Sequence, residues 1–293
     1  MHPRMIRRAT TLVLTISLAL SRESTAQGTP VPERCPAPDS AGLLVRFFDV
    51  GQGDATLIST GEGRHVLVDG GPGTTRVLEY LTELGVDTIA LMIATHHHLD
   101  HIGGLPAVLG SLPVTNVVVN GLPATTRIYA NLVTALERSG ARVLRAESRE
   151  LGVGSLQIRI IPPLARTRSQ NLASVGAVAT FGAFRVLFTG DAEVRALRSW
   201  ISQGLIVPVT IARVGHHGAP NGTTAELVDA TKPRLAIVSV GRNSYGHPNP
   251  SVLAGWASAQ AQILRTDEHG TIVVRGCADG SFSVITSSPR VPH

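Results

Sequence analysis

The sequence predicts an α+β fold in which two β-sheets carry helices on their outer faces. Short apolar strands with glycine turns recur as meanders along the 293 residues, and helical stretches separate them, which is how packed sheets flanked by helices read in sequence. Seven of the eleven histidines fall in three short Gly- or Asp-bearing segments at predicted strand ends: His96, His97, His98 and His101, then His216 and His217, then His247. Apolar residues make up 43% of the chain, enough for a full-sized core. Charged residues at 16% and aromatics at 4% exclude a coiled coil or a long charged disordered tail.

In chain order, the first residues have the layout of a secretion signal: Arg4, Arg7 and Arg8, an apolar run over 9–20, then the small residues Ser24-Thr25-Ala26. Residues 1–26 are therefore read as a signal peptide, leaving a mature chain that starts near Gln27. The apolar run is shorter than the roughly 20 residues of a membrane span. The expectation is a secreted or periplasmic protein with no stable membrane insertion after cleavage. Residues 27–41 read as a Pro-rich linker, 42–287 as one domain and 288–293 as a tail. Loss of the first 26 residues removes four arginines and Glu23, so the formal net charge falls from +5 to +2 and says little about partners. Lys232 is the only lysine, which excludes a P-loop. The arginines form no dense stripe of the kind a dedicated nucleic-acid-binding face carries. Cys35 and Cys277 stand at opposite ends of the mature chain. In an oxidising compartment they can pair and tie the termini together.

Strands over 43–48, 55–59 and 65–68 form an antiparallel meander through the turns Gly51-Gln52-Gly53 and Gly61-Glu62-Gly63, closed by Asp69-Gly70-Gly71. A helix over 77–84 starts at Thr74 or Thr75 and stops at Gly85. The buried strand 88–94 then delivers the first histidine cluster on the loop that leaves it. Beyond come a strand near 117–119, a helix over 125–139 and strands near 142–144 and 156–161. A β-pair over 176–180 and 184–188 ends in Thr189-Gly190-Asp191. A helix over 192–202, strands over 207–214 and 235–240, a helix over 251–257 and strands near Ile263 and Ile272 complete the pattern.

His96-x-His98-x-Asp100-His101 has the ligand types and spacing of a divalent metal centre, since imidazole and carboxylate suit zinc, manganese or iron. Alternate residues of an extended loop point the same way. His96 and His98 can thus chelate one ion while Asp100 and His101 turn to a second. Asp191, at another strand end, can bridge the two, and a hydroxide held between two cations becomes a nucleophile at neutral pH. His97 is expected to point away and to pack on or orient a neighbour.

These segments resemble the metallo-β-lactamase superfamily, and within it the soluble hydrolase domain of ComEC-type DNA-internalisation competence proteins. The resemblance runs from about Leu43 to Val274. It rests on Phe48-Asp49-Val50-Gly51-Gln52-Gly53-Asp54-Ala55, Val68-Asp69-Gly70-Gly71, the loop from His96 to Gly104 and Thr189-Gly190-Asp191, then on His216-His217-Gly218, Ser239-Val240-Gly241, Tyr245-Gly246-His247-Pro248 and Arg265-Thr266-Asp267. It implies a four-layer αββα sandwich with two divalent metal ions, zinc or manganese, at the sheet edges. His96 and His98 would hold the first ion, Asp100 and His101 the second. Asp191 would bridge, and His217 or His216 would complete the second position. Asp69 would orient a ligand histidine, and His247 would bind metal or the leaving oxygen. The family's third histidine, expected about twenty residues before the bridging aspartate, is Asn171 here. An amide is a weaker and harder ligand, so the first position is expected to be loose or to favour manganese.

The implied activity is hydrolysis of a phosphoester, most simply a phosphodiester in DNA or a nucleotide, with Asp100, Asp191 and His247 in the catalytic centre and no obligate protein partner. The same metals would also suit a phosphorylcholine esterase or a lactam or lactone hydrolase. A different class of reading is an exported non-catalytic binding module on this fold. Gly51-Gln52-Gly53 before Asp54 reads either as a tight turn or as a phosphate cradle. Arg242, Asn243 and Tyr245 read as substrate contacts or as solvated loop residues, and Ser174 as a buried residue at a strand start.

Overall fold

A computed structural model of the chain describes residues 42–288. The expected signal, the linker, Cys35 and the last five residues lie outside the described residues. The chain runs β1 (Leu43–Phe47), β2 (Thr56–Ser59), β3 (His65–Val68), α1 (Arg76–Glu83), β4 (Ile89–Ala94), α2 (Leu99–Ile102), α3 (Leu105–Ser111), β5 (Val114–Val119), α4 (Arg127–Ser139) and β6 (Arg142–Arg145). It continues through β7 (Arg149–Val153), β8 (Leu156–Ile161), β9 (Gly176–Phe181), β10 (Phe184–Phe188), α5 (Val194–Ser202), β11 (Ile211–Arg213), α6 (Ala225–Thr231) and β12 (Leu235–Val238). The last elements are α7 (Pro250–Ser258), β13 (Gln262–Arg265), α8 (Thr266–His269), β14 (Ile272–Gly276) and β15 (Phe282–Thr286).

Two sheets result. One has eight strands in the order β15-β14-β1-β2-β3-β4-β5-β6, the other seven in the order β13-β12-β11-β10-β9-β8-β7. β1, β2 and β3 form the expected antiparallel meander, and β4 joins β3 in parallel. In the second sheet β10, β11 and β12 each run parallel to the next strand, ending at β13. A parallel strand covered on both faces is apolar throughout, and this accounts for Ile-Ala-Leu-Met-Ile-Ala in β4. Phe47, Ile93, Phe184, Val186 and Phe188 fill the space between the sheets. Val77 and Leu81 of α1, Leu105 of α3 and Leu132 of α4 cover the outer face of the first sheet. Leu197 and Trp200 of α5, Leu227 of α6 and Trp256 of α7 cover the second. The layers are thus α, β, β, α, as the resemblance implied.

Six elements were not expected from the sequence: α2, α3, α6, α8, β7 and β15. The strand expected over 207–214 shrinks to Ile211–Arg213, because Pro208 has no N–H for a ladder and the Val209 N–H donates to the Thr231 carbonyl instead. The loop carrying the first histidines is not extended throughout, since Asp100 and His101 lie on the single helical turn of α2. Cys277 is buried and disulfide-bonded. Among the described residues, no helix is long and apolar enough to cross a membrane.

Candidate metal centre

The candidate residues gather where β3, β4, β10 and β11 end, because parallel strands of both sheets deliver their following loops to one rim. Asp69 follows β3 and is fully buried. Its carboxylate accepts the Thr95 N–H at 2.8 Å, the Thr95 hydroxyl at 2.7 Å and His101 Nδ1–H at 2.8 Å. Burial pushes the Asp69 pKa up, against the pull of His101 and of the Thr95 hydrogen bonds. The arrangement turns His101 Nε2 inward, to 3.2 Å from Asp191 Oδ1. Burial opposes the charged form of His101, yet Asp191 and Asp69 outweigh it and hold its pKa well above the ordinary imidazole value.

Leaving β4, the extended residues bring His96 Nε2 to 3.0 Å from His98 Nδ1 and 3.8 Å from Asp191 Oδ2. Donors around one tetrahedral zinc with bonds of about 2.0–2.1 Å stand about 3.4 Å apart, so this nitrogen pair has the separation of two ligands on one ion. His97 points away as expected: its Nδ1 donates to the Leu122 carbonyl at 2.8 Å and its ring lies against Tyr129. The turn of α2 swings Asp100 away from the His96–His98 line, and Asp100 Oδ2 reaches His217 Nε2 at 3.2 Å. Burial would raise the Asp100 pKa, but the His217 hydrogen bond and the neighbouring His101 hold it well below the usual carboxylate range.

Asp191 ends the β10 hairpin, with its N–H donating to Ser174 Oγ at 3.2 Å, which gives that buried serine a structural role. Its Oδ2 lies 3.7 Å from both His216 Nε2 and His217 Nε2. One carboxylate therefore faces histidines of both the 96–101 and the 216–217 segments. Burial penalises its charge, and His101, His217 and His96 more than repay that, leaving its pKa well below the ordinary value. His217 Nδ1 faces the Ser239 carbonyl at 2.9 Å; a carbonyl only accepts, so Nδ1 carries the proton and Nε2 is free to ligate. The sequence left open whether His216 or His217 completes the second position; His217 is the one whose Nε2 lies beside Asp100.

Asp54, His101, Asp191 and His217 each offer a ligand atom within 4.8 Å of the others. Asp54 is nevertheless poorly placed to ligate, because Arg213 covers its carboxylate. Arg213 Nε donates to Asp54 Oδ1 at 2.7 Å, its Nη2 contacts Asp54 Oδ2, and its Nη1 donates to the Gly190 carbonyl at 2.9 Å. Arg213 is 3% exposed, and desolvation lowers its pKa to about 9, so it stays charged at neutral pH. The pair is a buried foundation beneath His217 and Asp191. Sequence reasoning passed over Arg213; the signal was a lone charge in the apolar run Ile211-Ala212-Arg213-Val214.

Gly51-Gln52-Gly53 is a structural turn. A Cβ on Gly53 would strike the Asp100 carbonyl oxygen, and the glycine lets the Asp54 N–H donate to that oxygen at 3.0 Å. Asn171 stands beside His216, its Nδ2 at 3.4 Å from His216 Nε2 and from Glu193 Oε1. His247 packs edge-on to His216 at 5.7 Å, with Tyr245, largely exposed, over its other side. Burial and then His216 and His217 lower the His247 pKa, so it is neutral at pH 7. Asn243 ties this loop by accepting the N–H groups of Tyr245 and His247 on its Oδ1. For Arg242 no contact distinguishes a substrate role.

The residues fit divalent metal. His101 Nε2 and Asp191 Oδ1 face one another at 3.2 Å, and Asn171 Oδ1 is buried with no hydrogen-bond partner among the described residues. Such donors are costly to bury unless something electropositive meets them.

The model of the metallo-β-lactamase superfamily matches residues 48–242. ComE operon protein 3 of Bacillus subtilis (strain 168) is 28% identical over 263 residues, covering 82% of this chain and 34% of that protein. Recombination protein 2 of Haemophilus influenzae is 30% identical over 238 residues, covering 78% of this chain and 28% of that protein. The chain thus spans about a third of the length of these relatives. Among solved structures, the metallo-β-lactamase fold protein YhfI of Bacillus subtilis superposes with a TM-score of 0.55 at 12% identity, over 80% of this chain and all of that one. At that identity the likeness concerns the fold.

Proposed function

We propose, for a chain that belongs to the metallo-β-lactamase superfamily and is one of its metal-dependent hydrolases, that the bond cleaved is a phosphoester, most simply a phosphodiester of DNA or a nucleotide. The observation that carries the proposal is the donor set shared through Asp191. Its Oδ1 faces His101 and its Oδ2 faces His96, His216 and His217, so one carboxylate spans two groups of ligands. His96, His98 and Asp191 would hold one ion; Asp100, His101, Asp191 and His217 would hold the other. Bound there, divalent metals supply an activated water and offset charge on phosphoryl oxygens. The chain's own residues do the positioning. Asp69 fixes the tautomer and direction of His101, Ser239 fixes His217, and the Asp54–Arg213 pair holds the Gly190 carbonyl behind Asp191. Neutral His247 can hydrogen-bond an oxygen of the substrate at the open side, beside Tyr245.

The name Recombination protein 2 favours nucleic acid over a lactam, and the amide at Asn171 departs from the three-imidazole set implied for zinc lactamases. The signal-like first residues support action outside the cytoplasm. The test is turnover of bis-p-nitrophenyl phosphate, single- and double-stranded DNA, phosphorylcholine and a β-lactam by protein loaded with zinc or manganese. Phosphodiester turnover that disappears with chelator and in Asp191→Ala, whose metal content also falls, is expected. Lactam or phosphorylcholine turnover without phosphodiester turnover would replace the proposal. Metal binding without any turnover would favour the binding-module reading.

A further inference from the structure

We infer that His216 supplies the third imidazole of the first metal position, in place of the one Asn171 does not provide, and that this position is the weaker and fills second. The inference rests on the metal-binding part of the reading above and on no substrate.

The backbone is the first reason. His216 and His217 both have φ of +51°, and two successive side-chain-bearing residues in the left-handed region are strained. The strain directs the two rings to different neighbours. His217 Nε2 goes to Asp100, whereas His216 Nε2 stays on the Asn171 side, 3.7 Å from Asp191 Oδ2. Chemistry is the second reason. The Asn171 amide N–H faces His216 Nε2, as a donor faces a bare ring nitrogen, so the lone pair of Nε2 is presented on this side. Asn171 Oδ1, buried and unpartnered among the described residues, is a further oxygen donor there. His96 Nε2 and His216 Nε2 stand 3.8 and 3.7 Å from the same Asp191 Oδ2, and His98 Nδ1 stands 3.0 Å from His96 Nε2, so these four atoms would supply the donor set.

The order of filling follows from what holds each ligand from behind. In the second position the outer nitrogens of His101 and His217 are anchored, by Asp69 and by the Ser239 carbonyl. In the first, His216 Nδ1 has no partner among the described residues and His98 is exposed. Anchors of this kind are worth about 10–100-fold in metal affinity.

The test is zinc titration of the metal-free full chain, with stoichiometry read by elemental analysis after equilibrium dialysis, for wild type, His216→Gly and His216→Asn. Glycine and asparagine both tolerate a left-handed backbone, so the metal-free variants should melt no lower than wild type and a loss of metal is not a loss of fold. Wild type is expected to bind two equivalents in two steps. In both variants the tight first equivalent should stay within about twofold, while the second weakens by about 10–100-fold. A second equivalent bound with wild-type affinity in the variants overturns the assignment. So does loss of the tight equivalent instead, or a wild-type chain that binds one equivalent only. Because metal is counted and turnover is not, a protein inactive on phosphoesters leaves this result standing.

Discussion

At the scale of single residues, the centre depends as much on Arg213 as on its ligands. Arg213 and Asp54 are buried together, and removing one partner of such a pair leaves an uncompensated charge that costs about 3–5 kcal/mol. Arg213→Met should therefore lower stability by about that amount in urea unfolding of the metal-free protein, and Asp54→Asn in the same background should restore part of it. His101 makes a second prediction. In metal-free protein Asp191 and Asp69 hold its pKa well above 6.5, so it is protonated at neutral pH. Metal entering at Nε2 expels that proton. Binding should release protons, with a heat that depends on the buffer, and affinity should fall as pH drops. A buffer-independent heat at pH 7 would show His101 already neutral. Of these residues, the candidate ligands His96, His98, Asp100 and His101 were legible because they fall within six consecutive positions. Arg213 was not, because its partner is 159 residues away. Nor was the adjacency of Asn171 and His216, which only the meeting of the two sheets creates.

Among the elements, β3, β4 and β10 of the strands that carry the site read clearly because they are short apolar runs with Gly or Asp within two residues of an end. What the sequence hid was weakly patterned. α3, Leu-Pro-Ala-Val-Leu-Gly-Ser, has a proline and a glycine and no charged face to mark a helix. α6 has a genuine start signal, Thr224 accepting the Leu227 N–H, but only seven residues over which to show a period. β7 and β15 are edge strands whose alternation is diluted by exposed polar residues. The turn of α2 matters most, since it separates Asp100 and His101 from His96 and His98. It is pressed against the 51–53 turn, so Gly53→Ala tests the packing. The new methyl meets the Asp100 carbonyl oxygen and Pro72. We expect a loss of about 1–3 kcal/mol together with weaker binding of the tightly held ion; unchanged metal affinity in a folded variant would show that the turn does not set the position of Asp100.

Across the whole molecule, the candidate metal ligands come from the rims of both sheets: β4 and α2 from one, β10 and β11 from the other. Bound metal would join the two sheets at one end, whereas the apolar layer around Phe47, Phe184 and Phe188 joins them throughout. Chelation should thus lower the melting temperature and speed amide hydrogen exchange in 95–101, 190–192 and 215–218, while β8 and β9 stay protected. Uniform acceleration would mean that metal supports the whole fold instead of its rim. The buried guanidinium beneath the centre has a further consequence. Asp54, Asp69, Asp100 and Asp191 set against Arg213 give the rim a formal charge of −3, or −2 in the metal-free protein while His101 keeps the proton that metal expels. One divalent ion leaves it at −1, repelling an anionic diester; a second brings it to +1. Recruitment of the substrate and occupancy of the looser ion position are then thermodynamically linked, so each must strengthen the other by the same factor. An enzyme built this way would rest largely in a one-metal form and complete itself as the phosphate arrives.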